Sequence, residues 1–200
     1  MVKLSPMLDI NKALQELKGV KEVHILAVGN ECKELVFIME RGYSGQASLF
    51  ATNLQTGQPL VCFMLDEEHN CPLRLTDNLG RYLYEPNAAL MKAGCFKLLS
   101  ERFSVIKLHK NSHLYTSDTL VVDFPGRIFE VEGFAPYNKR LKQNLLADVD
   151  KANLAVRNFP LTVDALRKIL KIKEGGETYL FATTLLGEEK VVIKTRKSAS

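Results

Sequence analysis

Several histidine and cysteine side chains in this sequence could, by their type and spacing, bind a metal ion. His109 and His113 are four residues apart, so in a helix their imidazoles would share one face and could bind zinc. The residues between them, Lys110-Asn111-Ser112, are typical of a turn, and no third ligand is evident. His69 and Cys71 form a second close pair, also without a further ligand at a suitable spacing. We therefore predict no metal site.

The cysteines do not indicate nucleophilic catalysis or a disulfide framework. The sequence has four of them, Cys32, Cys62, Cys71 and Cys95, with no CxxC pair and no regular spacing. Cys95 lies on the apolar face of a predicted helix, where a free cysteine usually behaves as a small hydrophobe. We expect reduced thiols with mainly structural roles.

Positive charge is concentrated in the last third of the chain. From Arg127 onward there are 14 Lys and Arg against 9 Asp and Glu, whereas the 200 residues together carry a net charge of +4. A basic surface can bind phosphates, because neutralising them releases counterions. The alternative is that these side chains simply solvate helix faces. The candidates for phosphate contacts are Lys139, Arg140, Lys142, Lys168 and Lys171.

Two predicted helices would position those five side chains. Asn138 is expected to cap the first, which directs Leu141, Leu145 and Leu146 inward. Thr162 opens the second, whose apolar stripe contains Val163, Leu166, Ile169 and Leu170. Strand-like runs at residues 128–134, 151–159, 178–186 and 190–196 surround these helices. The order predicts an α/β sandwich with helices on a mainly parallel sheet.

The first forty residues predict a strand, a helix and a hairpin. Asp9 can cap a helix with an apolar stripe that begins at Ile10. The β-branched runs 23–28 and 35–39 are typical of buried strands, and the polar segment 29–34 joins them.

Turn-forming segments at 41–45 and 122–126 divide the chain into three predicted parts, residues 1–41, 42–126 and 127–200. The middle part predicts a hairpin over 46–53 and 59–65, a polar loop over 66–70 and a helix from Asn87 to Leu99 that Gly94 interrupts.

Several strings in the sequence resemble a known family. They are the opening stretch Val2 to Ile10, the hairpin from Glu22 to Leu35, the run Tyr84-Glu85-Pro86-Asn87 to Gly94, Asn111 to Ser117, and Phe124-Pro125-Gly126-Arg127. The family is the bacterial class I S-adenosylmethionine-dependent methyltransferases that carry a ferredoxin-like segment and a THUMP-like domain. The resemblance covers nearly the whole chain.

The resemblance implies a fold class for each part. Residues 1–41 would be the fifth strand, the following helix and the final strand pair of a Rossmann-like methyltransferase sheet. Residues 42–126 would form a ferredoxin-like segment, and residues 127–200 a THUMP-like α/β sandwich.

The resemblance also implies roles for particular residues. Ser5, Pro6 and Asp9 follow the strand end where ligands collect in a doubly wound sheet, so they are candidates for the edge of the cofactor cleft. The alternative is that Ser5 and Pro6 end the strand and Asp9 caps the helix. Glu85 and Asn87 are likewise either capping residues or groups that orient substrate.

In class I methyltransferases a glycine-rich turn after the first strand and an acidic residue after the second bind the cofactor. Both would precede the residues present here, so we expect this chain alone neither to bind S-adenosylmethionine nor to transfer methyl groups. No set of acid, base and nucleophile is evident, so the catalytic residues stay unknown at this point. We expect an RNA substrate to be recognised by the basic terminal domain. The sequence contains no RNP-type aromatic string and no GxxG loop between predicted helices, so the common single-stranded RNA modules are not supported.

A competing hypothesis is a protein-interaction module, in which the opening strand and hairpin dock on a separate chain that carries the missing methyltransferase half. No apolar run approaches the roughly 20 residues that span a bilayer, and no signal peptide is evident, so we predict a cytoplasmic protein without a membrane partner.

Overall fold

A computed structural model of the protein describes residues 1–198. These residues form two compact units. The first contains residues 1–72, 86–103 and 123–126, and the second contains residues 73–85, 104–122 and those from 127 onward. The domain boundaries predicted after residues 41 and 126 stay predictions.

The first unit is built on a five-stranded mixed sheet. Its strands are β1 (Val2–Leu4), β2 (Val20–Val28), β3 (Glu31–Met39), β4 (Ser48–Leu54) and β5 (Val61–Met64), in the order β1-β3-β2-β4-β5. β3 is antiparallel to both β1 and β2, whereas β4 is parallel to β2. This arrangement of β1, β3 and β2 agrees with the strand, helix and final strand pair that the resemblance implied.

Alternation along the strands buries one face of this sheet. On β2, Val23, Ile25 and Ala27 are fully buried, and Phe37 on β3 and Leu49 on β4 join them. Four helices belong to this unit: α1 (Ile10–Glu16), α2 (Leu65–Asn70), α3 (Ala88–Ala93) and α4 (Lys97–Arg102). α3 packs against β2, β3 and β4 and so covers the sheet.

Local hydrogen bonds confirm some of the predicted helix boundaries and correct others. Asp9 caps α1 as predicted, with Oδ1 accepting the Lys12 amide at 2.9 Å. The loop predicted over 66–70 is wrong, because this segment forms α2, whose Glu67 carboxylate accepts the Met64 amide at 2.7 Å. Gly94 adopts the left-handed conformation (φ 75°) and ends α3, so the single helix predicted here is two.

The second unit contains a seven-stranded sheet and two helices. Its strands are β6 (Tyr82–Pro86), β7 (Ile106–Lys107), β8 (Tyr115–Ser117), β9 (Gly126–Pro136), β10 (Asn153–Arg157), β11 (Thr178–Thr184) and β12 (Lys190–Lys197). The order is β10-β11-β12-β9-β6-β8-β7. β10 and β11 are parallel neighbours, whereas the pairs β11–β12, β12–β9, β6–β8 and β7–β8 are antiparallel. The mainly parallel sheet predicted from the sequence is therefore wrong for the part of the chain that is described.

The two faces of this sheet bury separate apolar clusters. On one face Leu180, Ala182 and Val192 pack with residues of α5 (Leu141–Leu145) and α6 (Val163–Leu170). The other face, which we call the inner face, carries residues that alternate with them in sequence, among them Leu83, Phe129, Phe181, Val191 and Ile193.

The sheet curls around its inner face. Three strands separate β6 from β10, so in a flat sheet these two strands would lie roughly 19 Å apart. Arg157 Nη2 nevertheless lies 2.5 Å from Glu85 Oε1. His109, two residues after the edge strand β7, likewise contacts Asn158, which follows the other edge strand β10. The two edges of the sheet thus approach each other at one end.

Candidate nucleic-acid interface

Two of the five predicted phosphate-binding residues, Lys139 and Lys142, line a groove in the second unit. Helices α5 and α6 border a groove of about 330 Å³, which we call the α5–α6 groove; it is lined by Tyr137, Asn138, Lys139, Leu141, Lys142, Ile169 and Leu170. Lys168 and Lys171 directly precede and follow the two α6 residues of this lining. Arg140 occupies the N-cap position of α5, and the predicted cap Asn138 instead accepts the Arg140 amide at 2.8 Å.

The five basic side chains differ from other cations of this unit in their partners. Lys139, Arg140, Lys142, Lys168 and Lys171 are all exposed, and within residues 1–198 none of them takes part in a salt bridge. Lys194 and Arg196 on β12, by contrast, pair with Asp148 and Glu130, each at 2.8 Å. The groove therefore concentrates positive charge that no neighbouring carboxylate of the described chain neutralises.

A second groove of the same unit, about 580 Å³ in volume, lies around His109, and we call it the His109 groove. Its polar lining residues are His109, Lys110, Asn111, Asn158, Thr184, Glu188 and Lys190, and Val156, Phe159 and Pro160 complete it. Sequence reasoning considered His109 only as a possible metal ligand and did not connect it with Asn158 or Glu188.

The hydrogen bonds of the His109 ring indicate which of its two nitrogens carries the proton. Nδ1 accepts the backbone N–H of Asn111 at 3.1 Å and the side-chain amide of Asn158 at 2.9 Å. The ring proton therefore lies on Nε2, which donates to Glu188 Oε1 at 3.2 Å. The side chain of His109 is 4% exposed, whereas that of Glu188 is 73% exposed. These three hydrogen bonds hold the buried imidazole in one orientation in the lining of the groove.

His113 is not part of that network. Burial, assisted by the positive charges of Lys107 and Arg157, lowers the pKa of His113 to about 4. Within residues 1–198 no group of three or more His, Cys, Asp or Glu side chains is arranged to bind a metal ion.

Glu85 lies at one end of the curled sheet, between two arginines. Its carboxylate side chain is 5% exposed and accepts a hydrogen bond from Arg127 Nε at 2.8 Å and another from Arg127 Nη2. On its other side lies Arg157, in the salt bridge already described. Asn87, not Glu85, is the capping residue, with Oδ1 accepting the Leu90 amide at 3.0 Å. The structure thus separates the roles that the sequence left open for these two residues.

The predicted cleft-edge residues make local contacts in the first unit. Ser5 Oγ accepts the Met7 amide at 3.2 Å and the Ser5 carbonyl accepts the Leu8 amide at 3.1 Å, so Ser5 and Pro6 form a turn after β1. Asp9 caps α1. Their predicted position at a cofactor cleft stays a prediction.

The described residues do not fit S-adenosylmethionine on their own. In a nucleotide-binding α/β sheet, a glycine-rich turn between a strand and the following helix lets the backbone approach the cofactor. None of the direct strand-to-helix connections in residues 1–198 contains a glycine. We therefore derive no methyl-transfer step from these residues.

Comparisons with known proteins agree with this architecture. A family model described as a ferredoxin-like domain matches residues 82–125, and one described as THUMP domain-like matches residues 126–197. The chain therefore contains a ferredoxin-like domain followed by a THUMP-like domain. Among curated proteins, none matches it in sequence.

The methyltransferase relation comes from a solved structure described as a "putative methyltransferase from Porphyromonas gingivalis W83". That structure is similar to 98% of this chain, with 39% sequence identity and a TM-score of 0.92. The chain spans about half the length of that protein, since the match covers 50% of it. None of the helices in residues 1–198 combines the length and hydropathy that a bilayer-spanning segment needs.

Proposed function

We propose that this chain recognises an RNA substrate on behalf of a methyltransferase, through its THUMP-like domain. The observation that carries the proposal is the α5–α6 groove, which Lys139 and Lys142 line together with Ile169 and Leu170 of α6. Lys168 and Lys171 directly flank these two α6 residues in sequence. The alternative from the sequence was that these side chains simply solvate helix faces. The position of Lys139 and Lys142 in the lining of a groove supports phosphate binding instead.

Phosphate contacts at this groove have a quantitative consequence. The logarithm of the RNA-binding constant falls linearly as the logarithm of salt concentration rises. Each phosphate that a lysine or arginine neutralises makes this slope steeper by about 0.7–0.9. Five such contacts would weaken binding roughly 100-fold to 1,000-fold between 50 and 200 mM salt. The proposal therefore includes strong dependence of RNA affinity on ionic strength.

In this proposal, residues 1–198 do not bind the methyl donor by themselves. It is supported by the absence of a suitable glycine-containing connection in residues 1–198 and by the half-length match to the solved structure. The four cysteines are free thiols, which supports a reducing, cytoplasmic location as part of the same proposal.

A second candidate function is docking to a catalytic chain. It is favoured by β1, an edge strand of the first sheet with Met1, Val2 and Met7 exposed nearby. An unpaired strand edge beside apolar side chains can accept a further strand, from the same or another polypeptide.

Fluorescence anisotropy with a labelled RNA hairpin tests the RNA proposal. The double variant Lys139→Ala/Lys142→Ala should bind more weakly and lower the salt slope by roughly 1.4–1.8. Lys194→Ala/Arg196→Ala removes the same charge from the same domain, but from residues already paired with carboxylates, and should change the slope much less. The proposal fails if the unmodified chain does not bind the hairpin, or if both double variants behave alike.

A further inference from the structure

The two grooves of the second unit meet at a pair of aromatic rings. Tyr137 lines the α5–α6 groove and Phe159 lines the His109 groove. Their ring centroids are 5.1 Å apart and their planes are inclined at 81°. The backbone amide of Tyr137 also donates to the carbonyl of Lys190, another residue of the His109 groove, at 2.7 Å. The two grooves are therefore neighbours on the surface of this unit, with the Tyr137–Phe159 ring pair between them; we call the two grooves together the track.

The two ends of this track differ in charge. The α5–α6 groove has two lysines and no carboxylate among its lining residues. The His109 groove has Lys110 and Lys190, but also Glu188, whose carboxylate accepts a hydrogen bond from His109 Nε2. A phosphate would be repelled by that carboxylate, whereas an uncharged base would not.

The chemistry of the His109 groove suits a nucleobase. Asn111, Asn158 and Thr184 place amide and hydroxyl groups in its lining, and amide side chains can pair with the edge of a base. Phe159 provides an aromatic ring at the border of the groove, and base stacking on such a ring tolerates any base. The ammonium group of buried Lys107 donates to the carbonyl of Lys110, a residue of the groove lining, at 2.7 Å.

We propose that the His109 groove binds the base of one unpaired nucleotide, while the adjoining backbone phosphates follow the lysines of the α5–α6 groove past Tyr137 and Phe159. This inference rests on the proposed function, since it specifies which RNA that function would use. The preferred ligand is a single-stranded segment attached to a helical stem, and Asn158 and Phe159 select the unpaired nucleotide.

Binding of two labelled RNAs to the full chain tests this proposal. One is a blunt hairpin, and the other is the same hairpin with a four-nucleotide single-stranded extension. The unmodified protein should bind the extended RNA about tenfold more tightly, after correction for its extra phosphates by comparing salt slopes. Phe159→Leu and Asn158→Gly should each remove most of that preference, because each should weaken binding of the extended RNA far more than binding of the blunt hairpin. Glycine suits position 158 because Asn158 has a φ of 52°.

Phe134→Leu is the matched control, because Phe134 is 47% exposed in the same unit and lines neither groove. It should retain the preference. A second measurement does not depend on variants: 2-aminopurine in the extension should lose fluorescence on binding if its base stacks on an aromatic ring.

The outcomes separate this inference from the proposed function. Equal affinity for both RNAs, with unquenched 2-aminopurine, would overturn the base site and leave RNA binding by the lysines intact. No binding of either RNA would overturn both. A loss of preference in Phe134→Leu equal to that in Phe159→Leu would also contradict the assignment.

Discussion

Replacement of Glu85 by alanine should destabilise the second unit, because this carboxylate joins two strands that are not neighbours in the sheet. Removing one partner of a fully buried ion pair costs about 3–5 kcal/mol, whereas an exposed pair contributes less than about 1 kcal/mol. The Glu85 side chain is 5% exposed, but those of Arg127 and Arg157 are 36% and 38% exposed and would partly recover hydration. We therefore expect a loss of about 2–3 kcal/mol in the free energy of unfolding.

For a unit of about 100 residues this loss corresponds to a decrease in Tm of roughly 8–20 °C. The sequence contains no tryptophan, so circular dichroism is the appropriate probe of thermal unfolding. Hydrogen exchange of the β6, β9 and β10 amides would show that the destabilised region is this end of the sheet. A double-mutant cycle with Arg157→Ala should give a coupling energy of about 1 kcal/mol or more.

Glu130→Ala is the matched control for Glu85→Ala. Glu130 lies on β9 and pairs with Arg196, whose side chain is 60% exposed, so its loss should cost less than about 1 kcal/mol. If Glu85→Ala and Glu130→Ala lower Tm equally, the Glu85 cluster does not hold the curled sheet together, and the reasoning is wrong.

Three further predictions concern caps, pH and thiols. Asn87→Ala should cost more than Asp9→Ala, about 2 against about 1 kcal/mol in urea unfolding, because the Asn87 cap is buried and Asp9 is exposed. The pKa of His113 is lowered to about 4 in the folded protein, so the unfolded chain takes up the proton first as pH falls. Stability should therefore decrease from about pH 6.5 to pH 4, and His113→Asn should flatten this dependence in thermal melts. Iodoacetamide should label exposed Cys62 well before Cys95, whose pKa burial raises, and mass spectrometry of peptides would reveal the reverse order.

Features that depend on local hydrogen bonds could be predicted from the sequence. Asp9 and Thr162 cap helices as expected, because a capping side chain contacts an amide only three residues away. The segment 66–70 was predicted as a loop because it has no apolar stripe. Its acidic residues instead stabilise the N-terminal turn of a short helix, none of whose residues is buried.

Features that depend on distant residues could not be predicted. Crossover connections suggested parallel strands, but β9 and β12 meet as antiparallel neighbours although more than fifty residues separate them. Glu85 has partners 42 and 72 positions away, and His109 contacts Asn158 and Glu188, 49 and 79 positions away. No periodicity or spacing in one sequence carries information on such pairs. The basic candidates could be identified by charge, but the groove that Lys139 and Lys142 line between α5 and α6 could be seen only in the fold.

The second sheet takes strands β6, β7 and β8 from the ferredoxin-like match and most of its remaining residues from the THUMP-like match. A polypeptide limited to residues 127–197 would leave Phe129, Phe181 and Ile193 of the inner face without Leu83, Leu108 and Leu114. The shortest contiguous stretch that contains every strand of this sheet runs from Tyr82 to Lys197. The border between the two matched segments therefore runs through a single sheet, and a chain cut at residue 126 would divide the apolar core of the inner face.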